Sequence, residues 1–222
     1  MSLRYMAVDD NSSFHDKESV VLAEKGLYLL RVMSMDEGIK NAAKERFLFI
    51  VINSDNIGYL PKLSILKGIA KVPVLVVTSD FSTEENAKAL GNGADAFGLV
   101  GVVDKSIKAI VDKPKIRTDP INDIVEVILS RGILILPDFG KVFIGELEVF
   151  LSTLEIRVLS LLLNGDGRIF SCEQIFNNVF DIDRDIDSED SIKSAIKRIR
   201  NKTGKKDIIK NVWGRVYRIG SV

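Results

Sequence analysis

A sharp charge boundary near the C-terminus constrains this chain more than any other feature of its sequence. From residue 191 to the end there are ten lysines and arginines against one acidic residue, Asp207, whereas residues 181–190 carry six acidic residues against one arginine. The formal net charge of the whole chain is zero, so its basic charge is concentrated locally. A concentrated basic segment of this kind is typical of proteins that bind nucleic acids.

The basic segment also has the periodicity of a helix. Ile192, Ile196 and Ile199 recur at three- and four-residue spacing, which predicts a helix over residues 188–202 with one apolar face. Cations occupy the opposite face and its flanks, at Lys193, Lys197, Arg198, Arg200 and Lys202. Such a helix can rest on a small core and enter a major groove, where its cations neutralise phosphates and Arg reaches guanine. Taken alone, such a helix has a second interpretation, in which its basic face contacts only solvent and binds no DNA.

Length and composition exclude several classes of protein. A chain of 222 residues accommodates two domains of about 100 residues each. Its longest apolar runs have the length of strands, far below the roughly 20 residues that span a bilayer, and no secretory signal is visible. One cysteine, Cys172, and one histidine, His15, exclude the usual disulfide, metal and His-based catalytic arrangements. We therefore expect a cytoplasmic protein that is not an enzyme and that has no membrane partner.

The N-terminal half alternates apolar strands with short helical segments. This alternation predicts a parallel sheet covered by helices on both faces. The first four strands are expected at residues 5–8, 27–32, 47–52 and 73–77. Polar residues follow three of them, namely Asp9 and Asp10, Asn53, and Thr78. The carboxyl ends of parallel strands share one rim of the sheet, so these residues are expected to converge on one site.

Four landmarks of this half occur together in order. They are Met6-Ala7-Val8-Asp9-Asp10, the third strand with the residue that ends it, Val72-Pro73-Val74 leading to Thr78-Ser79, and Gly93-Ala94-Asp95. Together they resemble the receiver domain of response regulators, which implies a flavodoxin-like, doubly wound (βα)5 fold of the α/β class. The resemblance implies that Asp9 and Asp10 form an acidic pair that binds Mg²⁺ and that Thr78 senses a phosphoryl group.

The phosphoacceptor position of this resemblance falls on Asn53. An amide has no anionic oxygen to attack phosphorus, so ordinary aspartyl phosphorylation is expected to fail. Mg²⁺ affinity at Asp9 and Asp10 is expected to be weak, since one usual carboxylate ligand is missing, and no other cofactor is predicted. Asp55 is disfavoured as a substitute acceptor, because we expect it in the loop beyond the strand and outside the pocket.

The fifth strand has two interpretations. The resemblance requires a pocket lysine followed by proline, and residues 100–101 are Val-Gly instead. The favoured interpretation places an insertion at residues 96–108, a fifth strand at 109–112, the pocket lysine at Lys113 and a final helix at 121–131. The alternative makes residues 96–103 the fifth strand and loses the lysine.

The sequence pattern of residues 132–222 predicts a second domain, of the α+β class. Short antiparallel strands are followed by three helices, two of them opened by capping-box spacing at Ser152 and Ser171, and by a hairpin at 208–219. Over its whole length this half resembles the winged helix-turn-helix effector domain of the OmpR/PhoB class of response regulators. The matching segments are 152–163, 167–171, 192–202 and 212–218.

The effector resemblance implies a set of DNA contacts. The third helix would dock in the major groove and the hairpin wing along the neighbouring minor groove. The residues implied to face DNA are Lys193, Ala195, Lys197, Arg198, Arg200 and Lys202 in the helix, and Trp213 and Arg215 in the wing. Trp213 stands where the family usually has arginine, so the sequence preference of the wing does not transfer.

The combined prediction is a sequence-specific transcriptional regulator of the OmpR/PhoB class that binds double-stranded DNA. Its receiver-like domain, residues 1–131, is expected to serve homodimerisation or phosphorylation-independent signalling, and residues 132–222 to bind DNA. The acidic segment 181–190 is expected either to contact RNA polymerase or to screen the basic helix until DNA competes. Two alternatives stay open: a phospho-activated two-component regulator with a non-standard acceptor, and a flavodoxin-like phosphate-ligand sensor or enzyme.

Overall fold

The computed structural model describes residues 3–10, 22–24, 26–55, 58–99, 107, 126–180, 188–214 and 216–220. The chain divides into two compact units, Met1–Ile124 and Val125–Val222. The predicted domain boundary after residue 131 lies inside the second unit. The helix predicted over 121–131 is wrong at its C-terminal end, because Ile128–Ser130 is a strand that pairs with the next strand and buries Ile128 in the core of that unit.

The N-terminal unit is built on a parallel sheet of five strands in the order β2-β1-β3-β4-β5. The strands are β1 (Leu3–Val8), β2 (Leu27–Val32), β3 (Ile50–Asn53), β4 (Val74–Thr78) and β5 (Ala96–Leu99). The described helices are α1 (Met35–Ala42), α2 (Tyr59–Ala70) and α3 (Thr83–Gly91). All residues of β3 and β4 are buried, as expected for central strands of a covered parallel sheet.

The position of β5 corrects the favoured interpretation of this region. Ala96–Leu99 pairs in parallel with β4, so the insertion predicted from residue 96 is wrong and the alternative located the strand. The carboxylate of Asp95 explains why β5 begins beside the start of β4. It accepts a hydrogen bond from the Val74 amide at 2.7 Å and pairs with the Lys67 ammonium. These contacts fix the chain beside the start of β4. Lys113 and residues 109–112 lie outside the described residues.

The C-terminal unit has two antiparallel sheets. The first contains β6 (Ile128–Ser130), β7 (Ile133–Leu136), β8 (Lys141–Ile144) and β9 (Leu147–Glu148) in sequential order. The second contains β10 (Phe170–Ser171), β11 (Ile209–Asn211) and β12 (Val216–Ile219) in the order β10-β12-β11. Short 3₁₀ turns cover Pro137–Phe139 and Lys206–Ile208.

Three helices complete this unit: α4 (Thr153–Asn164), α5 (Cys172–Val179) and α6 (Ser188–Thr203). Full capping boxes at Ser152 and Ser171 open α4 and α5, as their spacing predicts. The three isoleucines of the predicted apolar face of α6 are buried in one core with α4, α5 and both sheets. A receiver-like α/β unit followed by a winged helix-turn-helix is the predicted fold class, which is confirmed.

Candidate nucleic-acid interface and receiver-like pocket

Two exposed cations of helix α6 have no partner among the described residues. Lys197 and Arg198 are both exposed, because they lie on the side of the helix opposite to Ile192, Ile196 and Ile199. Within the part of the chain that the structure describes, neither side chain has a hydrogen-bond or ion-pair partner. Their charges are therefore available to an external anion such as a DNA phosphate.

Ala195 does not share this position. Its relative exposure is 0 %, and it packs in the core beside Ile196 and Ile199. The prediction that Ala195 faces DNA is contradicted, because the residue lies three positions after Ile192 and therefore on the inward face of the helix. Its small side chain lets the helix sit close to the core.

Three further cations of α6 are bonded within the domain. The Arg200 guanidinium donates to the carbonyl oxygen of Ile209, at 3.1 Å from Nε and 2.6 Å from Nη2. Lys193 pairs with Glu189 at 2.5 Å. Lys202 pairs at 2.7 Å with Glu155 at the start of α4. Arg200 joins the helix to the first wing strand, so the geometry gives it a positioning role; direct DNA contact by these three residues stays a prediction.

The Lys202–Glu155 pair holds the C-terminal end of α6 against α4. The Glu155 carboxylate is 2 % exposed and also accepts the Ser152 amide at 2.8 Å. Burial raises the pKa of Glu155, but the hydrogen bonds from Lys202 and Ser152 and the charge of Lys202 outweigh it and leave the pKa below its usual value. The carboxylate is therefore charged at neutral pH.

Two polar residues of the exposed face were not among the predicted contacts. Ser194 and Asn201 are exposed and lie within four positions of Lys197 or Arg198, so they share the outer face. Asn side chains can bond adenine through a donor and an acceptor together. The helical period that located the cations also locates these two residues, and a search for charge alone passes over them.

The wing is the hairpin of β11 and β12, which pair from Ile209–Ile219 to Asn211–Tyr217. The Val212 amide closes the turn on the Val216 carbonyl at 2.9 Å, and the Asn211 side chain bonds the Gly214 carbonyl at 3.1 Å. Trp213 lies at the tip and is 83 % exposed. A large aromatic side chain is thereby held outward on a closed turn. Arg215 lies outside the described residues.

The predicted receiver-like site brings Asp9, Asn53 and Thr78 to one rim of the parallel sheet. All three are buried, with relative exposures of 0, 2 and 2 %. The Asn53 amide nitrogen donates to Asp9 Oδ1 at 3.2 Å. Asp9 Oδ2 accepts a second bond, at 3.0 Å, from the guanidinium of Arg31, a residue that sequence reasoning did not identify. Asp10 is exposed, and Lys113 is outside the described residues.

Asp55 lies closer to this pocket than the sequence suggested. Its Oδ1 atom is 3.2 Å from the hydroxyl of Thr78, and its amide donates to Asn53 Oδ1 at 3.0 Å. Asp55 does lie in the turn beyond β3, as expected, but the expectation that it lies outside the pocket is wrong, because it is bonded to both Thr78 and Asn53. Among the described residues no group of three or more His, Cys, Asp or Glu is placed to hold a metal ion.

Comparison with known proteins gives matches to transcriptional regulators, one over the C-terminal domain and others over the whole chain. Residues 146–219 match the sequence family described as "Transcriptional regulatory protein, C terminal". The transcriptional regulatory protein YrkP of Bacillus subtilis is 24% identical over 230 residues, covering 100% of both chains. The phosphate regulon transcriptional regulatory protein PhoB of Escherichia coli is 22% identical, covering 100% of this chain and 99% of its own.

Among solved structures, the response regulator DrrB of Thermotoga maritima, described as an OmpR/PhoB homolog, aligns over 100% of both chains with 18% identity and a TM-score of 0.42. Over their whole length the sequence matches are to transcriptional regulatory proteins, and residues 146–219 match the family of the C-terminal domain, which supports a DNA-binding transcriptional regulator similar to PhoB. No helix in the described part of the chain has the length and apolar character needed to cross a membrane.

Proposed function

We propose that the chain binds specific sites on double-stranded DNA by placing α6 in the major groove and the wing in the adjacent minor groove. The observation that carries this proposal is the outer face of α6, where Lys197 and Arg198 are exposed and without partners among the described residues. Ser194 and Asn201 flank them and add groups that can read base edges. The proposal assigns the chain no catalytic activity of its own.

The N-terminal half acts, in this proposal, without phosphorylation of an aspartate at the end of β3. Asn53 occupies that position, and its amide is already bonded to Asp9 at 3.2 Å. A neutral amide offers no nucleophilic oxygen comparable to a carboxylate. The unit then serves assembly or responds to a signal other than a phosphoryl group.

Homodimerisation and a cytoplasmic location belong to the same proposal. Two copies would present two recognition helices to repeated half-sites on DNA. Exposed apolar side chains on the N-terminal unit, at Phe81, Leu90 and Leu99, support an assembly surface near α3 and β5. RNA polymerase is the proposed partner of the acidic segment 181–190, most of which lies outside the described residues.

The direct test is selection of DNA sites from genomic fragments of the source organism, followed by affinity measurements over a range of salt concentrations. We expect a selected site to bind far more tightly than random DNA, with an affinity that falls steeply as salt rises. Equal affinity for selected and random DNA would contradict sequence-specific binding. Sedimentation of the free protein and of its DNA complex tests the dimer independently.

Phospho-activation through a non-standard acceptor is the second candidate, and one observation favours it. The carboxylate of Asp55 is exposed and lies 3.2 Å from the Thr78 hydroxyl. Loss of a response to a phosphoryl mimic in Asp55→Asn would support that candidate. Absence of any response in the unaltered chain would exclude it.

A further inference from the structure

The Asp9 carboxylate is an anion buried at the end of β1. Moving a carboxylate out of water is costly unless hydrogen bonds and an opposite charge compensate it. Its Oδ1 atom accepts the Asn53 amide at 3.2 Å, and its Oδ2 atom accepts Nη2 of Arg31 at 3.0 Å. Each carboxylate oxygen is therefore engaged by a donor from a neighbouring strand.

The backbone fixes Arg31 in this position. Strand β2 pairs in register with β1, with Ala7 opposite Arg31 and Val8 opposite Val32. The Asp9 amide then donates to the Val32 carbonyl at 2.9 Å. Arg31 also donates from Nε to the Asp9 carbonyl oxygen at 3.3 Å. The Arg31 guanidinium thus bonds both the side chain and the main-chain carbonyl of Asp9, and the register of β1 with β2 sets its position.

We propose that Arg31 is a built-in counter-ion that takes the place of a divalent cation at Asp9. The pocket is then a latent cation site, which binds Mg²⁺ or Mn²⁺ only when the guanidinium is removed. Mg²⁺ requires carboxylate oxygens at about 2.0–2.1 Å, and a guanidinium bonded to the same oxygen excludes it by occupying that space and repelling its charge. This inference deepens the proposed phosphorylation-independent role of the N-terminal unit and does not depend on DNA binding.

The test uses the full chain and the substitution Arg31→Met, which keeps an extended side chain and removes the charge. Thermal unfolding and calorimetric titration are measured with MgCl₂ and with MnCl₂. We expect the unaltered chain to show no saturable binding. Arg31→Met should unfold at a lower temperature because the buried carboxylate loses its counter-ion. Millimolar Mn²⁺ or Mg²⁺ should bind it saturably, near one ion per chain, and raise its unfolding temperature.

Three variants act as controls. Arg4→Met removes an arginine of the same unit that pairs on the surface with Glu45 at 2.7 Å, and it should leave the cation response unchanged. Arg31→Lys keeps a positive charge and should gain no cation binding. Adding Asp9→Asn to Arg31→Met removes the buried charge, so the double variant should be more stable than Arg31→Met without cation and should lose the cation response.

Several results would overturn the proposal. Saturable cation binding by the unaltered chain that disappears in Asp9→Asn would mean that Arg31 does not exclude the metal. Arg31→Met that stays destabilised at every cation concentration, or that does not fold while the double variant does, would limit Arg31 to a structural ion pair. Equal instability of the single and double variants would show that Arg31 acts through packing and not through its charge.

The outcome of the cation experiments does not affect the DNA-binding part of the proposed function. That part is measured separately with selected DNA. If Arg31→Met binds the cation but the unaltered chain binds no DNA site specifically, only the regulator proposal is refuted. Specific DNA binding with a failed cation test would refute only the role of Arg31.

Discussion

At the rim of the N-terminal sheet, buried Asp9 is bonded to both Arg31 and Asn53, whereas on α6 the side chains of Lys197 and Arg198 are exposed and have no partner among the described residues. The two regions use charge in opposite ways. In the pocket the anion is compensated by its own chain, so no external ligand is needed to stabilise it. On the helix the cations gain most from an external polyanion.

The difference also separates two kinds of cation within α6 itself. Arg200 and Lys202 are bonded to other elements of the domain, while Lys197 and Arg198 have no such bond to any residue that the structure describes. A basic helix of this kind contains residues that position it and residues that can bind a partner. Only the cations that can bind a partner, Lys197 and Arg198, are expected to determine how DNA affinity depends on salt.

The largest expected effect comes from removing the two exposed cations of α6 that have no partner among the described residues. Lys197→Ala with Arg198→Ala should weaken binding to a selected site by about 2–4 kcal/mol, or roughly 30- to 1000-fold, since each contact contributes separately. The slope of log affinity against log salt should become smaller by about 1 to 2. Fluorescence anisotropy of labelled DNA measures both quantities.

Lys88→Ala is the matched control for this double substitution. Lys88 is an exposed lysine on α3 that pairs with Glu84, and its removal should change neither affinity nor slope. If Lys88→Ala weakened DNA binding as much as the double substitution, general positive charge and not the α6 face would account for affinity.

The next effect tests the closed pocket. Asn53→Asp places a second carboxylate where a donor now bonds Asp9 at 3.2 Å. The N-terminal unit should lose about 1–3 kcal/mol of unfolding free energy at pH 7, because a buried hydrogen bond is replaced by like-charge repulsion. Urea unfolding measures this change, and Asn177→Asp at an exposed site of α5 supplies the control. Unchanged stability would mean that the amide does not hold the Asp9 carboxylate.

Glu155→Gln tests the ion pair between buried Glu155 and Lys202, which supports α6. The substitution should cost the C-terminal unit about 1–2 kcal/mol at pH 7, because the Lys202 ammonium and Ser152 amide lose an anionic acceptor. The folded pKa of Glu155 lies below its unfolded value, so this contribution is present at neutral pH and is lost as pH falls through the folded pKa. The stability difference between the unaltered chain and the variant should therefore shrink in acid.

Urea unfolding at several pH values measures that difference. Glu173→Gln, at an exposed position in the first turn of α5, is the matched control and should have little effect. A Glu155→Gln difference that stays constant from neutral to acid pH would contradict the assignment of a lowered pKa.

The smallest effect concerns the wing tip. Trp213 is the only tryptophan of the chain, so its fluorescence reports on the wing alone, and it should be quenched when specific DNA binds. Trp213→Ala should weaken binding by about 1 kcal/mol, or roughly fivefold. The salt slope should stay the same, since no charge is removed. Trp213→Phe should retain most of the affinity. Unchanged emission on binding would place the wing tip away from the DNA.

Local patterns predicted the elements that depend on local physics. The period of Ile192, Ile196 and Ile199 located the buried face of α6, and the spacing after Ser152 and Ser171 located two helix starts. The same period places Ala195 on the inward face, whereas the family resemblance implied a DNA-facing position for it. Lys197 and Arg198 lie on the exposed side of the helix, as the same period predicts.

Long-range contacts account for what the sequence did not reveal. The expected Lys-Pro landmark drew the predicted fifth strand to residues 109–112, whereas β5 is fixed beside β4 by Asp95. The pairing of Arg31 with Asp9 joins two strands whose register is set by the whole sheet, and no local pattern records it. Lys202 and Glu155 likewise lie far apart in sequence. Such pairs depend on the folded packing of complete elements.

The most direct test of the central claim is the affinity of the full-length protein for a selected DNA site, measured with and without Mg²⁺ and beryllofluoride. A regulator that does not depend on aspartyl phosphorylation should bind that site specifically, with the same affinity under both conditions. Binding that tightens with beryllofluoride would show that an acceptor survives near Asn53 and would contradict the account. Absence of specific binding at any salt concentration would contradict the assignment of the α6 face to DNA.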